Sequence, residues 1–194
     1  MEGQAITRPG PDRVVIFQEF DQLLPWKTVL RNVMYPLRVA RKMPDSDARG
    51  EALRFIRMVG LERFCDTYPH QLSGGMKQRV AIARSLAINP RMLLMDEPFA
   101  SLDALTRRKM QEELLGIWEA TKKTILFVTH SIQEAALLGD RILVLSRGPG
   151  RVKGILVNAA AGRRDGQEFL RVQEQIQTLL EHTAGEDGGE EAER

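Results

Sequence analysis

An α/β domain built on a largely parallel sheet is the fold class this sequence predicts, and three observations carry it. Short β-branched apolar runs recur along the chain: RVVIFQ, MLLMD, TILFVT and RILVLS. Stretches with apolar residues at helical spacing alternate with them, the pattern of parallel strands with helices packed over the sheet. The 194 residues, 43% apolar and 28% charged, suffice for one domain with a sizeable core.

RVVIFQ (13–18) follows Pro9, Gly10 and Pro11, a break that marks it as a buried strand. Across 29–41, Val29, Leu30, Val33, Met34 and Leu37 recur at helical spacing; Pro25 precedes this helix and Pro36 predicts a kink or break in it. DSDARGEALRFIRMVG (45–60) opens with capping-type Asp and Ser and closes on Gly60. A helix follows Gly75 to about Ile88, then an Asn89-Pro90 turn, then the strand MLLMD (92–96). Residues 104–121 carry Leu105, Met110, Leu114, Leu115 and Trp118 as an amphipathic helix. TILFVT (124–129) is a strand, SIQEAALLG (131–139) a helix, RILVLS (141–146) a strand, RVKGILV (151–157) a terminal strand and EFLRVQEQIQTLLEHT (168–183) a last helix. The tail at 185–194, rich in acids and glycine, reads as solvated and disordered.

Composition narrows the function classes. A formal charge of +2 with scattered basic residues is a weak footprint for a nucleic-acid binder. Cys65 is the only cysteine, which excludes an internal disulfide framework and fits a reducing compartment. The apolar runs fall far short of the roughly 20 residues that span a bilayer, and the first residues hold no apolar signal core. A membrane role therefore comes through a partner.

The chemistry concentrates in QLSGGMKQRVAIARSLAINPRMLLMDEP (71–98). Asp96 and Glu97 stand where an apolar strand leaves the carboxyl edge of the sheet, the usual place for ligand chemistry in open α/β folds. One carboxylate can hold Mg²⁺ and the other can polarise a water, although a strand-end Asp-Glu pair alone also fits a turn cap. Ser73, Gly74 and Gly75 open a helix, where free backbone N–H groups and a hydroxyl make an anion site; alone they also fit a plain turn. Trp26 and Trp118 read as packing aromatics.

Taken together, Gln18, LSGGMKQR, LLMDEP, SLDA and the Thr129-His130 pair resemble the nucleotide-binding subunit of an ABC transporter, over residues 1 to about 155. The resemblance implies a P-loop NTPase-like domain with a RecA-like core and an inserted helical subdomain at about 26–89, within 1–160, followed by a C-terminal helix at 161–184. It implies ATP and Mg²⁺ as cofactors. Asp96 matches the Walker B aspartate that supports the metal, Glu97 the general base, and Gln18 the Q-loop glutamine that contacts metal and water. His130 matches the switch histidine. Ser73, Gly74 and Gly75, with Gln78 on the same helix, match the signature segment that contacts nucleotide bound on a second subunit, and Asp103 the aspartate at the dimer seam. His70 and His182 gain no role from it.

FQEFDQLLPWKTVLRNV, DEPFASLDALTR and GPGRV are similar to importer subunits for nitrate, sulfonates and taurine. That similarity implies a dimer, peripheral on the cytoplasmic membrane face, with a permease docked on about 19–60, an external solute-binding protein and no nucleic acid. The sequence contains no G-x-x-x-x-G-K-[ST]. In the family that cradle, with its strand and helix, lies upstream of a segment like EGQAITRPGPDRVVIFQ, so the expectation is a chain whose start falls beyond the Walker A segment. Two other readings follow from the same residues: a non-catalytic subunit lending its signature loop to a complete partner, and a DNA-associated ABC ATPase, which the absence of long heptads and zinc-spaced cysteines disfavours.

Overall fold

The computed structural model describes residues 7–8, 10–17, 22–148, 150–164 and 166–181. The chain divides into two compact units, Met1–Val128 and Thr129–Arg194.

The first unit holds a parallel sheet of three strands in the order β1-β2-β3: β1 (Arg13–Ile16), β2 (Met92–Asp96) and β3 (Thr124–Val128). The register aligns Val15 with Leu94 and Leu94 with Leu126. Side chains alternate across the sheet, so Ile16, Leu93 and Met95 go into the core while Val15 and Leu126 stay about half exposed on the other face. Three helices separate β1 from β2: α1 (Val29–Val39), α2 (Asp45–Met58) and α3 (Gly74–Ala87). They pack on one another through Val33, Leu37, Ala48, Ala52, Ile56 and Ile82, all buried. A fourth helix, α4 (Ala104–Thr121), connects β2 to β3, with Met110, Leu114 and Ile117 inward.

Local chemistry explains where these helices begin and end. Thr28 caps α1 by accepting from the Arg31 N–H. Of the expected kink or break at Pro36 the break does not occur: Pro36 lies within α1 without ending it, and the Ala40 N–H still bonds to the Pro36 carbonyl. The cap of α2 is Pro44, and Asp45 and Asp47 occupy its first turn, where their charge suits the helix dipole. Gly60 takes φ +67° after α2, and the Leu61 N–H returns to the Ile56 carbonyl. Asn32 is fully buried on α1 yet satisfied: its Oδ1 accepts from the Leu24 N–H, and its Nδ2 donates to the carbonyls of Leu24, Lys27 and Thr28. That one amide fixes the 24–28 turn and leaves Trp26 69% exposed.

In the second unit, α5 (Ile132–Leu138) and α6 (Gln167–Glu181) lie against a ribbon of β4 (Arg141–Leu145) and β5 (Val152–Val157). This ribbon is antiparallel, pairing Leu143 with Ile155, and so departs from the parallel arrangement the sequence suggested. The reason is a short return: the Ser146 N–H donates to the Arg151 carbonyl and the Arg151 N–H to Ser146 Oγ, folding the chain straight back. Ala136, Ile142, Val144, Ala160, Val172 and Ile176 form the core of the unit. At Gly154 the ribbon meets α6 closely: an added Cβ would lie 2.9 Å from Leu179 Cδ1, and the leucine end would have to shift. The expected acidic tail at 185–194 lies outside the described residues. Among those described, no helix is long and apolar enough to cross a membrane.

Candidate functional site

Strand β2 ends at Asp96, paired in register with Val128, and its carboxylate is exposed with no hydrogen bond or ion pair to any described residue. The next residue, Glu97, turns the chain out of the sheet with φ +42°, a left-handed backbone that a non-glycine residue adopts only when its surroundings hold it there. Its N–H donates to the Val128 carbonyl at 2.9 Å, and its carbonyl accepts from the Ala100 N–H at 3.1 Å. Beyond it Phe99 is fully buried, its ring tilted against Phe127 at 5.6 Å between centroids. The two acidic residues are thus consecutive at the strand end, and the loop after them is anchored by Phe99.

Asp103 ends that loop as the cap of α4, its Oδ1 accepting from the N–H groups of Leu105 and Thr106. The Thr106 backbone N–H and then its side chain, followed by the Leu105 N–H, hold the Asp103 carboxyl below the usual carboxylate range. Lowering on folding means that this contribution to stability is complete above the unfolded-chain value and fades as pH falls through the depressed one.

Ser73 caps α3, its Oγ accepting from the Met76 N–H at 3.3 Å, and it is exposed. The N–H groups of this first turn have no carbonyl one turn back, which makes the end an anion site in principle. Gly75 is buried against α4: an added Cβ would lie 2.9 Å from Thr106 Cγ2. Thr106 therefore sits between Gly75 and Asp103, and the structure brings the SGG turn and the Asp103 cap together through it. Arg79, one turn further, pairs with Glu113 at 2.7 Å.

Gln78 is enclosed within the packing of α3, and neither of its amide atoms has a hydrogen-bond partner. Its side chain lies inside, away from the exposed rim that Ser73 forms. Leaving a buried amide unpaired costs about 1–3 kcal/mol. Gln78→Met, which keeps the length and removes both polar atoms, is accordingly expected to raise the thermal midpoint by a few degrees in calorimetry.

In the second unit Thr129 Oγ1 donates to the buried Glu134 at 2.7 Å and accepts from the Ser131 N–H at 3.0 Å. Ser131 caps α5 by accepting from the Glu134 N–H. His130, exposed, is thereby held between two fixed neighbours. His70 is also exposed and stacks on Tyr68. Gln18 and His182 lie outside the described residues. Sequence reasoning passed over Phe99, Thr106 and Arg107, which support the stretch from Glu97 to Asp103, and, within the second unit, Glu134, which holds Thr129.

Asp96 and Glu97 offer hard oxygen donors of the kind that hold Mg²⁺ when phosphate oxygens and water complete its shell. Asp96, with its carboxylate uncommitted, fits that role.

The family described as "ABC transporter" matches residues 2–100. The chain is 45% identical over 194 residues to the taurine import ATP-binding protein TauB of Rhizobium johnstonii, covering 94% of this chain and 73% of that protein. It is 51% identical over 158 residues to a bicarbonate transport ATP-binding protein, CmpC, of Synechococcus elongatus, covering 80% of this chain and 24% of that protein. Among solved structures, cbiO1 from Clostridium perfringens, described as part of the ABC transporter complex cbiONQ, superposes with a TM-score of 0.64 at 31% identity. That match covers 69% of this chain and 53% of that one.

Proposed function

Because this chain belongs to the ABC transporter family, we propose that it is the ATP-hydrolysing subunit of an importer for a small anion of the taurine, sulfonate, nitrate or bicarbonate kind. The observation that carries the reading is the Asp96-Glu97 pair, set at a strand end by a left-handed turn over a buried loop.

Phosphoryl transfer asks a protein mainly to position groups and offset charge. In this reading Asp96 and Gln18 hold Mg²⁺, which when bound neutralises charge on the phosphate oxygens. Glu97 orients the attacking water and takes up its proton, and His130 contacts the γ-phosphate. Ser73, Gly74 and Gly75 present their helix start to nucleotide held by a second subunit, with Gln78 buried behind them on the same helix and Asp103 at the seam. Two subunits then enclose nucleotide between them. The dimer sits peripherally on the cytoplasmic face of the membrane. Trp26, held out by the Asn32-fixed turn, belongs to the 19–60 surface that docks the permease. The permease in turn receives solute from an external binding protein.

The test is reconstitution of the subunit, as its cell makes it, with its permease and solute-binding protein in proteoliposomes. ATP-dependent uptake of one of taurine, an alkanesulfonate, nitrate or bicarbonate is expected. An assembled complex that hydrolyses ATP without importing any of them overturns the substrate class.

A further inference from the structure

We infer that Arg107 is the positioning residue for Glu97, acting through the backbone of the 97–102 loop; the inference rests on the catalytic reading of Glu97 given above. Arg107 lies in the first turn of α4, and its guanidinium is half-buried. Its Nη2 donates to the Leu102 carbonyl at 2.8 Å and its Nε to the Phe99 carbonyl at 3.3 Å. No carboxylate pairs with it among the described residues. The charge is committed to two carbonyls of the loop instead.

Those carbonyls belong to a short series of turns that ends at the catalytic position. The Leu102 N–H also donates to the Phe99 carbonyl, and the Ala100 N–H to the Glu97 carbonyl. Glu97 itself is held in a left-handed backbone conformation that is strained for a residue other than glycine. The restraints on it include the bond from its N–H to Val128, the burial of Phe99, and the Arg107 fork on the loop that follows. A planar guanidinium holds two acceptors at a fixed separation, which a single ammonium cannot do. Without it the Leu102 carbonyl must find water, the Phe99 carbonyl keeps only the Leu102 N–H, and the turns can relax. A displacement of about 1 Å at a catalytic group is enough to cost on the order of a hundredfold in rate.

The experiment compares Arg107→Ala and Arg107→Lys with the parent subunit in the assembled transporter, each with and without Glu97→Gln. Arg107→Ala is expected to lower kcat about tenfold or more at an ATP KM within about twofold of the parent, and Arg107→Lys to lose less. In the Glu97→Gln background the Arg107 substitutions add almost nothing, because the group they misplace is gone. Amide exchange at Ala100 and Leu102 quickens in both single variants. The inference is overturned if kcat stays within twofold of the parent while Glu97→Gln is severely impaired, or if the Arg107 loss is undiminished in the Glu97→Gln background. A rise in KM at unchanged kcat overturns it as well. Should Glu97→Gln alone leave turnover intact, the catalytic reading of Glu97 fails first and takes this inference with it.

Discussion

Glu97→Gln is expected to lower ATP turnover of the assembled transporter about 10²- to 10⁴-fold, the range that a positioned general base contributes. The substitution keeps size and reach while removing the charge and the ability to take a proton, so the left-handed turn and the loop behind it persist. Nucleotide affinity, followed by equilibrium binding, should change little. Turnover retained within about tenfold of the parent would show that the proton goes elsewhere, and would favour a subunit that lends its surface to a complete partner.

Phe99→Ala should cost about 3–5 kcal/mol of stability, as truncation of a buried aromatic typically does. Phe99 has no exposed surface, and its ring packs against Phe127 of the neighbouring strand, so deletion opens a cavity under the loop that follows the carboxylates. Against a total of about 5–15 kcal/mol for a folded domain the loss is severe. Each kcal/mol corresponds to roughly 2–4 °C for a chain of this size, so calorimetry should record a fall of about 6–20 °C. Turnover of the surviving folded protein should fall too, because Glu97 loses one of its restraints. A midpoint within 2–3 °C of the parent, a shift worth about 1 kcal/mol, would mean that the core closes over the gap.

Much of the molecule was legible in the sequence for identifiable reasons. Helix α4 lies where the apolar spacing from Leu105 to Trp118 placed it, with Asp103 as its cap, and β2 occupies MLLMD. Local pattern and local capping agree there, so no tertiary information was needed. Strand pairing is different: the apolar runs of β4 and β5 look like those of β1 and β3, and the antiparallel return rests on two bonds between Ser146 and Arg151. Pro36 left a kink and a break both open, since a proline signals the loss of one donor without saying whether the helix needs it; the helix runs on through it. At the site, Asp96 and Glu97 were visible through the company of LSGGMKQR, SLDA and the Thr129-His130 pair, since a strand-end Asp-Glu pair alone also fits a turn cap. Arg107 and Thr106 were not, since one grips backbone carbonyls and the other fills the space above a glycine, tasks that leave little trace in residue type.

Helix α3 carries Ser73 at its start and packs against α1, α2, α4 and β1, with most of its circumference buried. A helix enclosed in this way behaves as a lever rather than a spring. Its 14 residues make an arm of about 21 Å, and a tilt of about 5° moves one end by about 2 Å relative to the other. That travel is as large as the range over which a hydrogen bond forms or fails, so a small tilt of α3 would change how its Ser73 end is presented. Because α1 and α2 pack on α3, a displacement beside α1 at Trp26 would reach that end through close-packed side chains.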